Sequence, residues 1–283
     1  MRKSLQIEKP LVSVNWLYQS LDATNLIVLN GTLPKVSLDK NEIKTIDFQI
    51  PNARFFDIKK DFSIQEAPFP NTALEPNDFE SKARSLGVNK DSCIVVYDEH
   101  GIYSSARVWW LFKTMGFHNI AVLNGGFPTW NAAGFNVEEK QIHPFNKGDF
   151  KVNHNQKLLI NSDAVFNSLN SDNTQILDAR SSGRFHSIAP EPRAKIRSGH
   201  IPTSKSLPYS SLLNGTELKS TEELQELFKE VNLQNKELVF SCGSGITACV
   251  LALGATVAGY QKLSVYDGSW TEWGSLSHLP IEK

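Results

Sequence analysis

The stretch "CIVVYDEHGIYSSARVWWLFKTMGFHNIAVLNGGFPTW", residues 93–130, is echoed by "ELVFSCGSGITACVLALGATVAGYQKLSVYDGSWTEW", residues 237–273. With one single-residue gap, Asp98 falls on Cys242, Gly101 on Gly245, and "NGGFPTW" on "DGSWTEW". Upstream, "NLIVLNG" (25–31) resembles "TQILDAR" (174–180). A repeat of this length is a duplicated unit and not a short-period solenoid. Each copy runs from an apolar β-type stretch through a polar loop to a helical stretch, then to a second β-type stretch. The first copy predicts a strand over 94–97, a helix over 104–115 and a strand over 120–123. The second predicts the same elements over 237–240, 247–258 and 263–266. Short apolar runs alternating with helices indicate parallel strands covered on both faces. The fold class is therefore α/β: two tandem domains, each a mainly parallel sheet flanked by helices. The polar segment "EEKQIHPFNKGDFKVNHNQK" (138–157) reads as the connection. This sets boundaries at 1–140, a linker at 141–157, and a second domain at 158–283. Within the latter, "STEELQELFKEVNL" (220–233) is amphipathic, with Ser220 as N-cap and Glu223 completing a capping box.

Composition narrows the function classes. A chain of 283 residues holds two domains of ordinary size. A net charge of −1 gives no reason to expect nucleic acid or an anionic membrane as partner. No apolar run approaches the roughly 18 residues of a membrane span. The N-terminus starts basic but has no continuous apolar core, which argues against a secretory signal. The three cysteines, Cys93, Cys242 and Cys249, make no C-x-x-C pair and no disulfide framework, so a cytoplasmic, reducing setting is expected. The seven histidines show no zinc spacing, and neither a metal nor an organic cofactor is expected.

The chemistry concentrates in "FSCGSGITACV" (240–250). In open α/β sheets, sites collect at the carboxyl ends of strands, and Cys242 stands at such an end where a helix begins. Backbone N–H groups from Gly243 through Ser244, Gly245 and Ile246 to Thr247 could turn inward as a nest for negative charge. Glycine at 243 and 245 would permit the φ values of a tight loop. For cysteines in general, a two-unit fall in pKa raises the thiolate fraction at pH 7 from about 3% to about 75%. The accompanying loss of nucleophilicity leaves a net gain of only about threefold. The greater benefit of such a nest is to hold a charged sulfur adduct, which suits a sulfur carrier better than a hydrolase. A free cysteine is often just a small buried hydrophobe, and that reading stands for Cys93 and Cys249. At 242 the flanking "GSG" argues against it. Cysteine phosphatases place an arginine six residues after the nucleophile, but here that residue is Ala248, so phosphate lacks its bidentate clamp.

These residues resemble the two-domain rhodanese-like sulfurtransferases over essentially the whole chain. "CGSGITAC" is similar to the active-site loop of the 3-mercaptopyruvate branch, C-G-[ST]-G-[VI]-T. "LDARSSGRF" (177–185), "PEPR" (190–193), "IRSGHIP" (196–202) and "YDGSWTEW" (266–273) match as well. The resemblance implies a non-catalytic first domain, with Asp98 at the lost nucleophile, and a catalytic second domain. It implies Cys242 as nucleophile and persulfide carrier, Ser244 as a catalytic hydroxyl, and Arg184 and Arg193 as ligands for the carboxylate and ketone of the donor. Thiosulfate-specific members carry basic residues where this loop has Gly243 and Ser244. The implied acceptors are a thiol, such as thioredoxin or a small thiol, or cyanide. Thiosulfate as donor and a non-enzymatic sulfur-binding module are the alternatives. Arg184 and Arg193 could lie about 30 Å apart if extended, so "PEPR" must fold back for both to reach one site. Asp178 and Arg180 could orient the loop as an ion pair. His200 and the "DGSW" turn read as architectural, and Trp109, Trp110, Trp270 and Trp273 as core or interface. Two departures stand out. Thr203 occupies a common glycine position. The segment "FFDIKKDFSIQEAPFPNT" (55–72) lacks the histidine of many mercaptopyruvate enzymes, having Lys59, Lys60, Pro70 and Asn71 in that region.

Overall fold

A computed structural model describes residues 4–35, 46–231 and 236–283. Two five-stranded sheets form its frame. In the first, the spatial order is Leu11–Val12, Ile120–Leu123, Cys93–Tyr97, Leu26–Asn30, Arg54–Phe55, and every pairing is parallel. In the second the order is Leu159–Ile160, Leu263–Tyr266, Glu237–Ser241, Thr174–Asp178, Lys205–Ser206, again all parallel. The orders correspond strand for strand, as the duplication requires. The central strands Cys93–Tyr97 and Glu237–Ser241 are buried apart from Glu237, which explains their near-continuous apolar sequence.

The predicted helices form with trimmed ends, at Ser105–Thr114 and Ala248–Val257. Both follow their central strand, and they pack on each other across the domain boundary. Residues 248–255 are all buried, because one side of this helix meets its own sheet and the other meets the first domain. One hydrophobic cluster therefore runs through both domains, joining Trp109 and Trp110 to Ile246, Val250 and Leu253. The capping box at Ser220 and Glu223 is present on Thr221–Glu230. Residues 232 and 233, expected at the end of that helix, lie outside the described residues.

The expected linker is strapped to the first domain. Glu138–Glu139 pairs antiparallel with Phe48–Gln49. Farther on, Phe150 is buried in the core and its N–H donates to Val88 O. Trp110 Nε1 donates to Leu158 O at the end of the segment. Among the described residues no helix is long and apolar enough to cross a membrane.

Candidate active site

Cys242 follows the strand Glu237–Ser241, and the loop to Ala248 carries it to the mouth of the next helix. Two anchors hold this loop from behind. The N–H groups of Trp270 and Thr271 donate to Cys242 O and Gly243 O at 3.0 and 2.9 Å. The Ser269 hydroxyl accepts from Cys242 N at 3.1 Å and Gly245 N at 3.2 Å, and donates to Tyr266 O at 2.8 Å. Its Oγ also lies 3.9 Å from Cys242 Sγ. Ser269 sits at φ 48, a left-handed conformation that disfavours non-glycine residues. The first copy has Gly126 there, at φ 56. Serine in place of glycine at that point of the repeat is the signal that would have found this residue, which the reading of "DGSW" as architecture missed.

Gly245 adopts φ +74, and a Cβ on it would lie 2.6 Å from Asp267 O, so glycine is required there. Gly243 differs from expectation. Its backbone is not left-handed. A Cβ there would lie 3.3 Å from Arg184 Nη2 and 3.7 Å from Arg193 Nη1. The missing side chain leaves room for two guanidinium groups, and relieves no backbone strain.

"PEPR" thus folds back, and both arginines converge over the loop. They are not equivalent. Arg184 pairs with Glu191 at 2.6 Å, and Glu191 also holds Arg180 at 2.7 Å. Arg193 has no carboxylate partner among the described residues; its Nη atoms meet Thr271 Oγ1 at 3.3 Å and Ser244 Oγ at 3.4 Å. Burial and the neighbouring Arg184 lower its pKa, so a negative ligand would relieve an unpaired charge. Arg180 is spent on structure: it makes a buried ion pair with Asp178 at 2.7 Å and donates to Gly199 O. His200 stacks on Phe185 and contacts Phe185 O, as an architectural residue would.

Cys242 is only 1% exposed, yet it lines a cavity of about 270 Å³ together with Ser244, Ile246, Thr247, Arg184 and Arg193. Lys35, Tyr103, Arg180, Ser181 and Tyr209 complete its polar wall, and among the described residues no carboxylate lines it. Among the described residues the first domain's cation in this cavity is Lys35; Lys59 and Lys60 are exposed elsewhere. A larger cleft of about 510 Å³ runs along Ser4–Trp16, but among the described residues no cysteine or arginine lines it. Cys93 and Cys249 are free, buried thiols whose pKa values burial raises to about 12.

The first copy displays what this loop can hold. The Asp98 carboxylate, fully buried, accepts N–H groups from His100, Tyr103, Ser104 and Ser105 at 2.8–2.9 Å, and the Ser105 hydroxyl at 2.7 Å. In the second copy, the amides of Gly243, Ser244, Ile246, Thr247 and Ala248 find no acceptor among the described residues. The same strand–loop–helix turn is filled by a carboxylate in one copy and carries a thiol in the other.

The first domain also reaches into the second. Arg107, fully buried, donates to Asp267 Oδ1 at 2.5 Å, Asn71 O at 2.9 Å and Gly245 O at 3.3 Å. Asp267 Oδ2 accepts from Ala73 N at 2.9 Å. The Asn71 side chain donates to Ser244 Oγ at 3.0 Å. The sequence reading did not find Arg107, and it named Asn71 only as standing where a histidine was missing. No local motif marks either, because their second-domain partners lie more than 130 residues away.

Comparison with known proteins agrees with this fold. The Rhodanese-like domain family matches residues 14–133 and 162–276. A 3-mercaptopyruvate sulfurtransferase of Mus musculus is 36% identical over 279 residues, covering 95% of this chain and 93% of the relative. A thiosulfate sulfurtransferase of Bos taurus is 35% identical, covering 94% and 92%. The crystal structure of SseA from Escherichia coli, a 3-mercaptopyruvate sulfurtransferase, superposes with a TM-score of 0.81 at 29% identity, covering 93% of this chain and 99% of that one.

Proposed function

The chain belongs to the Rhodanese-like domain family, and from that premise we propose that it moves sulfur from 3-mercaptopyruvate through a Cys242 persulfide to a thiol or cyanide, releasing pyruvate. The observation that carries this reading is the convergence of Arg184 and Arg193 over a side-chain-free Gly243, beside Cys242, in a cavity with no acid among its described lining residues.

In the first half-reaction the Cys242 thiolate attacks the donor sulfur. The C–S bond breaks, and its electron pair passes to the departing carbon as the enolate of pyruvate. Arg193 and Arg184 hold the carboxylate and the ketone oxygen, where negative charge grows, so their contacts strengthen toward the transition state. Ser244 donates a hydrogen bond to the same end of the substrate. The persulfide that remains is held by the amides from Gly243 to Ala248, with Asp98 in the first copy as the precedent for an anion in that turn. An acceptor thiolate (thioredoxin or a small thiol) or cyanide then takes the outer sulfur in a ping-pong cycle. The chain's own groups suffice for each step.

Identity alone does not choose the donor, since the mouse and bovine relatives are nearly equally similar. The loop does: a compact dianion such as thiosulfate is best met by cations in the loop itself, and residues 243–247 supply none. We assign residues 1–140 to the non-catalytic domain, 141–157 to the connection and 158–283 to the catalytic domain. We place the protein in a reducing compartment such as the cytoplasm, a reading supported by three unpaired cysteines.

The deciding experiment follows pyruvate from 3-mercaptopyruvate, thiocyanate from thiosulfate plus cyanide, and intact mass. Expected are faster pyruvate formation, an adduct of roughly +32 Da from one sulfur, and loss of both in Cys242→Ser. Comparable efficiency with both donors would overturn the donor assignment. An adduct without turnover would favour a sulfur-binding module, and an active Cys242→Ser would remove the nucleophile.

A further inference from the structure

The Ser244 hydroxyl is surrounded by donors. Asn71 Nδ2 lies 3.0 Å from Ser244 Oγ, and Arg193 Nη2 lies 3.4 Å from the same atom. The amide of Asn71 has a defined orientation, because its nitrogen also lies 3.4 Å from Ser244 O, a carbonyl that can only accept. A serine hydroxyl has two lone pairs and one hydrogen. With both lone pairs facing N–H groups, only the hydrogen remains, and no described residue accepts it. Ser244 lines the cavity, so that hydrogen points at whatever occupies it. Asn71 itself is rigidly held. It is 8% exposed, adopts φ 63, a conformation asparagine tolerates better than most residues, and its carbonyl is gripped by Arg107 at 2.9 Å.

We propose that Asn71 is a positioning residue that makes Ser244 a one-way hydrogen-bond donor to the substrate, so this pair contributes orientation to the reaction and no proton. This deepens the proposed sulfurtransferase reading and depends on it. A carboxamide neither gains nor loses a proton near neutrality, and a hydroxyl whose lone pairs are occupied cannot relay one inward. The proton that converts the enolate to pyruvate then comes from the donor's own thiol. Cys242–S⁻ plus HS–CH₂–CO–COO⁻ gives Cys242–S–S⁻ plus CH₃–CO–COO⁻: one S–S bond forms, one C–S bond breaks, and the thiol proton ends on carbon. Charge and atoms balance without an external acid.

The test compares Asn71→Gly, which removes the amide while keeping left-handed backbone accessible, with isosteric Asn71→Asp, whose carboxylate would accept the Ser244 hydrogen and turn it away from the cavity. Each is made in the wild-type and Ser244→Ala backgrounds. Asn71→Gly should lower kcat for pyruvate formation about tenfold, with KM changing much less. Asn71→Asp should lower kcat further, to about a hundredfold, the scale of one lost preorganised donor. In the Ser244→Ala background neither substitution should lower kcat further. An Asn71→Asp kcat equal to or above that of Asn71→Gly, or full additivity with Ser244→Ala, would overturn the proposal. If wild type turns over thiosulfate instead, the same ranking is read on thiocyanate. A wild type that turns over neither donor sinks the functional reading itself, a result distinct from a failed ranking among active variants.

Discussion

Replacing Ser269 with alanine should loosen the loop that carries Cys242, by an amount its hydrogen bonds allow us to work out. Its hydroxyl is the acceptor for two backbone N–H groups, Cys242 at 3.1 Å and Gly245 at 3.2 Å, and the residue is fully buried. An orphaned buried donor costs about 1–3 kcal/mol. For the pair we expect roughly 3 kcal/mol, allowing the loop some relaxation. Alanine keeps the left-handed backbone at φ 48, so that strain is unchanged. Glycine removes the same hydroxyl but relieves strain of about 1–2 kcal/mol. It gives back about 0.5–1 kcal/mol through the entropy of the unfolded chain. The expected stability order is wild type, then Ser269→Gly, then Ser269→Ala, with about 0.5–1 kcal/mol between the variants. At about 2–4 °C per kcal/mol, Ser269→Ala should melt about 6–12 °C lower. Urea unfolding gives the free energies, calorimetry the melting points, and kcat/KM for pyruvate formation should fall in both variants. An alanine variant within about 0.5 kcal/mol of wild type would refute the reasoning, because buried donors cannot go unpaired at no cost. So would a glycine variant less stable than the alanine one.

Three further outcomes are expected. Arg193→Ala should lose about a hundredfold in kcat/KM and Arg184→Ala only about tenfold, because Glu191 already shares the charge of Arg184; steady-state kinetics showing the reverse order would contradict the asymmetry. With burial raising Cys93 and Cys249 to about 12, only about one in 10⁴ of either is thiolate at pH 8. Native protein should then take up one equivalent of iodoacetamide, at Cys242, and three in urea, with peptide mapping as the readout. Thr203 sits exposed at φ 63, a costly backbone for a β-branched residue. Thr203→Gly should therefore stabilise by about 0.5–1 kcal/mol, a gain that urea titration would detect and a loss would disprove.

The architecture was legible because its signals are local. Short strand-like runs such as 120–123 and 263–266, alternating with helices in both copies, predicted two mainly parallel sheets, and the strand orders then matched. The loop at 242 was legible for the same reason, since strand, glycine-rich turn and helix are contiguous. The convergence of Arg184 and Arg193 was not deducible from spacing; it needed the family resemblance, and its physical cause is the bend of 190–193 with Glu191 gripping both Arg180 and Arg184. The role of Gly243 was misjudged, because a missing side chain can serve a neighbour's bulk as readily as backbone freedom. Asn71 and Arg107 were illegible as functional residues, because their meaning lies in atoms of the other domain.

The carboxylate of Asp98 bears on how such a duplicated chain keeps its shape. A neutral residue at position 98 would leave the inward-facing N–H dipoles of that turn with nothing to satisfy them. An acidic side chain at that position closes the gap permanently and needs no visiting ligand. The first copy can then act as a fixed buttress, its helix pressed against the helix that starts beside Cys242. On this view the fold of the first copy holds whether or not anything occupies the cavity beside Cys242.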